Sequence, residues 1–245
     1  MGSWSNASYV NHGDLDAVER ALTEMFAAEG MQPIPRPPEN KEHEFHSPMQ
    51  YRRAAENDLW AVALLPGREG WTIIRTAPFN LLCERAAGAN RIRLASLTAS
   101  LGCQALVYNL HDSTEGLLIE ALPTGEYALS GFIPNPEPRG ASMDYYDEPY
   151  GGDDNCQEYF RLLDAHDIAR PEASDGNRRV IQAMANNPYP SIQQWPDHEE
   201  ITLAIADALG GPNAEEGDNR IMVNVLIQNK PMDIPGGRSL YYVRA

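Results

Sequence analysis

Lysine is nearly missing from this 245-residue chain: Lys41 and Lys230 stand alone beside 17 arginines and 35 acidic residues. The formal charge of −16 argues against a protein that tracks a nucleic-acid backbone or adheres to anionic lipid, because both depend on clustered cations. Long apolar runs are missing too. The best, Leu59–Leu65, is the length of a strand, whereas a membrane span needs roughly 18–20 apolar residues. The opening residues Met1-Gly2-Ser3-Trp4-Ser5-Asn6 carry neither the basic nor the apolar part of a secretion signal. Cysteine is scarce. Cys83, Cys103 and Cys156 are odd in number and widely spaced, with no CxxC, which suits a reducing, cytoplasmic compartment. Asn6-Ala7-Ser8 matches a glycosylation sequon, which carries no weight without a secretion signal.

What is present is enough for a folded protein. Apolar residues make up 42% of the chain and aromatics 8%, so a core can be buried and wholesale disorder is excluded. The length suits one large domain or two small ones. Arginine in place of lysine, with frequent alanine, is the bias of a GC-rich bacterial genome, a hint about source and not about chemistry.

The apolar spacing gives an order of elements. Residues 14–29 form an amphipathic helix, with Asp14 as N-cap, Leu15, Val18, Leu22, Met25 and Phe26 on one face, and Gly30 as the stop. Residues 33–53 hold five prolines among charges and read as an extended, irregular connection. Leu59–Leu65 and Trp71–Arg75 read as strands joined at Pro66-Gly67, while Phe79–Glu84 is ambiguous. Arg91–Leu101 is helical, with Leu94, Leu97, Thr98 and Leu101 in one stripe and Gly102 closing it. Ala105–Leu110, Gly116–Leu122 and Tyr127–Phe132 follow as strands. This order predicts an α+β fold: an antiparallel sheet with helices packed on one face.

Prolines 134, 136, 138 and 149 then break any regular element while acids accumulate. The expected organisation is therefore an α+β domain over 1–133, an acidic Pro/Tyr-rich linker or loop over 134–155, and a second small α+β unit over 156–245. In that unit Gln157–Ala165, Arg178–Asn186 and Asp197–Leu209 read as helices. Ile221–Gln228 and Leu240–Arg244 read as strands, the first almost continuously apolar. Helix, glycine, strand, strand thus occurs twice, over 94–122 and 201–243, but that unit is too common to establish a duplication. Trp60, Trp71, Leu94, Leu97, Leu101, Val107, Leu118, Ile205, Val223 and Val225 are the expected core.

Motifs of known chemistry are mostly absent. There is no GxSxG nucleophile elbow, no GxxxxGK[ST], no GxGxxG and no calcium-loop pattern, and no cofactor is implied. His43-Glu44-Phe45-His46 places two histidines at i and i+3, one short of the i, i+4 spacing that puts both on one helical face. His43 and His46 are therefore weak metal candidates, and polar loop residues explain them more simply. The other histidines are scattered singly. Cys83 adjoins Glu84-Arg85, Cys103 follows a helix-ending glycine and suits a small apolar packing role, and Cys156 sits among acids that deactivate a thiolate. Gly67-Arg68-Glu69-Gly70 and Gly236-Gly237-Arg238 offer arginine beside glycine, the parts of a phosphate grip, but hairpin turns account for both. No catalytic residue is assigned.

One segment stands out. Between Ala141 and Glu158 there are six acids, no basic residue, and Tyr145, Tyr146 and Tyr150. Residues 124–245 carry −11 against −5 for residues 1–123, so the charge is concentrated. Acids steer a cationic partner and tyrosines give stiff contact area with a polar tip. Asp144, Tyr145, Tyr146, Asp147, Glu148, Tyr150, Asp153 and Asp154 are therefore the candidate surface for a basic protein partner. The type expected is a non-catalytic cytosolic binder such as a bacterial immunity protein or antitoxin, with a toxin as the natural basic partner. Two alternatives are a hydrolase with a scattered Cys/His or metal site, and a calcium or small-ligand module built on Asp144–Asp154. A solvated linker kept soluble by its acids is the bland reading of the same residues.

Overall fold

The computed structural model describes residues 5–39, 54, 58–68, 70–86, 89–111, 115–132, 206–210 and 217–245. Eight strands form one sheet: β1 (Ser5–Val10), β2 (Met31–Ile34), β3 (Leu59–Pro66), β4 (Thr72–Ala77), β5 (Ala105–His111), β6 (Glu115–Ala121), β7 (Tyr127–Phe132) and β8 (Arg238–Arg244). Their order across the sheet is β2-β8-β3-β4-β1-β5-β6-β7, and all the pairs are antiparallel. The expected α+β fold is what the chain adopts.

Period-two alternation sends β3 to two different cores. Trp60, Val62 and Leu64 join one buried cluster, and Ala61, Ala63 and Leu65 join the other. A strand buried on both faces reads as a continuous apolar run, which is why Leu59–Leu65 shows no alternation in sequence.

The Trp60 face is covered by two α-helices. α1 (Leu15–Ala27) begins at Asp14, whose Oδ1 accepts from the amides of Asp16 at 2.9 Å and Ala17 at 3.2 Å. It buries Val18, Ala21, Leu22 and Phe26, the i, i+3, i+4 stripe expected. α2 (Arg93–Leu101) has no side-chain cap; the amides of Arg93 and Leu94 instead donate to the carbonyls of Glu84 and Leu82, which satisfies groups that a helix start leaves open. Gly102 ends α2 at a φ of 63°, a conformation glycine adopts without the Cβ penalty. Both α-helices thus lie on one face of the sheet.

The opposite face corrects the reading of Ile221–Gln228 as a strand. Gly217–Ile227 is a helix of π type, packed on β3 and β4, with Ile221, Met222, Val225 and Leu226 buried against the alanines of β1, β3 and β4. A run apolar in nearly every position does not distinguish a buried strand from a buried helix. The second helix–glycine–strand–strand unit therefore lacks its first strand. Ala206–Gly210 is a short π-type turn; the carbonyl of Leu209 accepts from the Arg68 amide at 2.8 Å, so this turn docks on the β3–β4 hairpin.

β8 lies between β2 and β3, pairing Tyr241 with Ile34 and Ala61. Residues 238–244, assigned from sequence to a unit over 156–245, are thus flanked in the sheet by strands from residues 1–133. The connecting residues 134–155, and the helices read at Gln157–Ala165 and Arg178–Asn186, lie outside the described residues. β1 and β2 have no counterpart in the sequence reading. Of the expected core, Trp60, Leu94, Leu97, Val107 and Val225 are buried. Trp71 and Leu101 are only half-buried, Leu101 because it ends its helix. The side chains of Leu118 and Val223, and all of Ile205, are outside the described set.

Candidate functional site

The described residues place the thiols, three polar clusters and two glycine turns. Cys103, just past α2, is buried in the Trp60-side core. Burial pushes its thiol up from 9.0 to about 11, against a lowering by its own backbone hydrogen bond. It is a protonated, apolar-packed group at neutral pH, as its position after Gly102 predicts, and no nucleophile. Cys83 is half-buried at the edge of the same cluster. Cys156 is outside the described residues.

Among the described residues the most deeply buried charge is Arg93, 2% exposed. Its Nε and Nη2 donate to the two oxygens of Glu29 at 2.7 and 2.6 Å, and its Nη1 donates to the Leu81 carbonyl at 3.1 Å. The guanidinium carbon lies 5.0 Å from the centre of the Trp60 ring. Trp60 in turn donates from Nε1 to the Ala54 carbonyl at 2.9 Å, and the Ala54 amide donates to Glu84 at 2.9 Å. The Arg93–Glu29 pair ties the chain just past the Ala28 C-cap of α1 to the first turn of α2. With its bidentate geometry and aromatic stack filled from within the fold, it is a structural clamp.

A second cluster is open. Arg238, at the start of β8, donates from Nη1 to Asp16 and to Glu19 at 2.9 Å on α1, and hydrogen bonds to Asp16 and then Glu19 raise its pKa further. With Arg20, Thr23 and Glu24 these residues line a shallow groove of about 380 Å³. The Gly236-Gly237 turn before it is closed by the Gly237 amide on the Ile234 carbonyl, so Arg238 answers carboxylates rather than waiting for phosphate. The other glycine turn, at 67–70, is a hairpin closed by the Gly67 amide on the Trp71 carbonyl. A Cβ at Gly67 would sit 2.8 Å from the Leu209 oxygen, leaving no room there for a ligand.

The third cluster caps the π-type helix. Asn229 adopts a φ of 56°; Arg36 donates to its carbonyl at 2.9 Å and its Nδ2 donates to the Pro38 carbonyl at 3.1 Å. Lys230 donates from Nζ to Asn224 Oδ1 at 3.2 Å. Two cations at the carbonyl end of a helix oppose its negative pole. This cluster also fixes the proline-rich residues after β2 against the helix end.

None of these clusters contains a residue singled out for binding. Asp144, Tyr145, Tyr146, Asp147, Glu148, Tyr150, Asp153 and Asp154 lie outside the described residues, as do His43 and His46. Among the described residues no group of three or more His, Cys, Asp or Glu is placed to hold a metal, and no helix is long and apolar enough to cross a membrane. The sequon Asn6-Ala7-Ser8 falls in β1, where Asn6 and Ala7 pair with β5 and Ser8, 2% exposed, pairs with both β4 and β5. Sequence reasoning passed over the Arg93–Glu29 clamp because its partners are 64 residues apart. A charged Arg93 at the head of an apolar stripe was the available signal. No family model, curated protein or solved structure matches the chain.

Proposed function

We propose that this protein is a non-catalytic binder of a basic protein, of the immunity-protein or antitoxin type, and that residues 141–158 carry the recognition. The observation behind the reading is the composition of that segment: six acids and three tyrosines with no basic residue, in the half of the chain that holds −11 of the −16 charge. Two features lend support. Phe132 of β7 and Ala206, the described residues that flank 133–205, belong to elements of one sheet and its apolar cover. In addition, two described arginines are matched internally, Arg238 by Asp16 and Glu19 and Arg93 by Glu29, whereas residues 141–158 contain no cation of their own. Acids in such excess raise the encounter rate with a cation, and the tyrosines hold what has been steered in.

Affinity capture from the native lysate supplies the partner, and binding kinetics then test the assignment. Replacing Asp144, Asp147 and Glu148 by Asn or Gln slows association on the order of tenfold at low salt and flattens its salt dependence. Replacing Tyr145 or Tyr146 by Ala speeds dissociation roughly thirtyfold, for an anchor contributing about 2 kcal/mol. Association that is insensitive to salt, with both sets of variants binding like the parent, contradicts the proposal.

A further inference from the structure

We draw no further inference here: the strongest candidate, the outer edge of the uncharged strand β7 (Tyr127–Phe132), which ends the sheet among the described residues, carries nothing because nothing in the structure shows what covers it.

Discussion

The two faces of the sheet are packed by different means. On the α-helical face the side chains are large: Trp60, Phe26, Tyr242, Leu22 and Met31 are all fully buried. Phe26 meets Trp60 and Tyr242 edge-on, with ring centres 5.1 and 4.9 Å apart, and the Arg93–Glu29 pair locks the two helices over them. On the other face the sheet offers Ala7, Ala61, Ala63 and Ala77, interleaved with Tyr9, Leu65, Ile73 and Tyr241, beneath Ile221, Met222, Val225 and Leu226. The alanines among them leave space over the strands for the π-type helix. Tyr241 completes the contact by donating its hydroxyl to the Val225 carbonyl at 2.9 Å. One face carries an aromatic cluster and a buried ion pair, the other four strand alanines under the π-type helix. The same strand, β3, supplies both solutions by alternation.

This contrast predicts opposite sensitivities. The largest effect belongs to the α-helical face. Arg93→Ala leaves Glu29, 10% exposed, without its partner in the core and should cost about 3–5 kcal/mol in urea unfolding. Replacing both Arg93 and Glu29 by apolar residues of similar volume should recover most of that loss. Recovery by neither substitution would show that the Trp60 stack, and not the pair, holds the helices together.

The alanine face should instead resist enlargement. Ala63→Leu adds three carbons where the π-type helix sits and should destabilise by about 1–3 kcal/mol. A neutral or stabilising result would mean that this face has room to spare.

The smallest effect is a pH dependence from the buried protonated groups. Cys103 holds its proton to about 11 when folded and releases it near 9.0 when unfolded. Its folded-state value is raised, so its contribution is complete below pH 9 and is lost between pH 9 and 11, amounting to about 1.4 kcal/mol by pH 10. Burial also raises the hydroxyls of Tyr241 and Tyr242 above 10.0, which extends the decline above pH 10. Denaturation midpoints from pH 8 to 10.5 measure it, and Cys103→Ala should remove the part below pH 10. A wild-type midpoint flat across that range would place Cys103 in solvent.

The legible parts of the fold are those where one periodicity dominates. α1, α2, β3 and the β5–β7 meander fall within a few residues of their expected bounds, because caps, glycine stops and turn residues mark their ends. β1 escaped because Ser5, Asn6, Ala7 and Ser8 are small or polar and lack the β-branched content that flags a strand. β2 escaped because Pro33 interrupts it, and proline is tolerated there because β2 ends the sheet among the described residues, with β8 as its neighbour. Ile221–Gln228 misled for the opposite reason: burial against a sheet leaves no polar face to set a period. The candidate recognition segment was legible only as composition. No spacing within Asp144–Asp154 imposes a geometry, since acids and tyrosines steer and anchor from many arrangements. The Arg93 clamp, assembled from distant residues, had no local pattern to reveal it.

β8 completes one sheet with strands from the first 77 residues, lying between β2 and β3. Native-state hydrogen exchange of the β3 and β8 amides tests it most directly. With Leu59–Leu64 paired to Arg238–Val243, both strands should exchange through the same opening, at a free energy close to that of global unfolding. Amides of β8 that exchange several kcal/mol more easily than those of β3 would contradict this pairing.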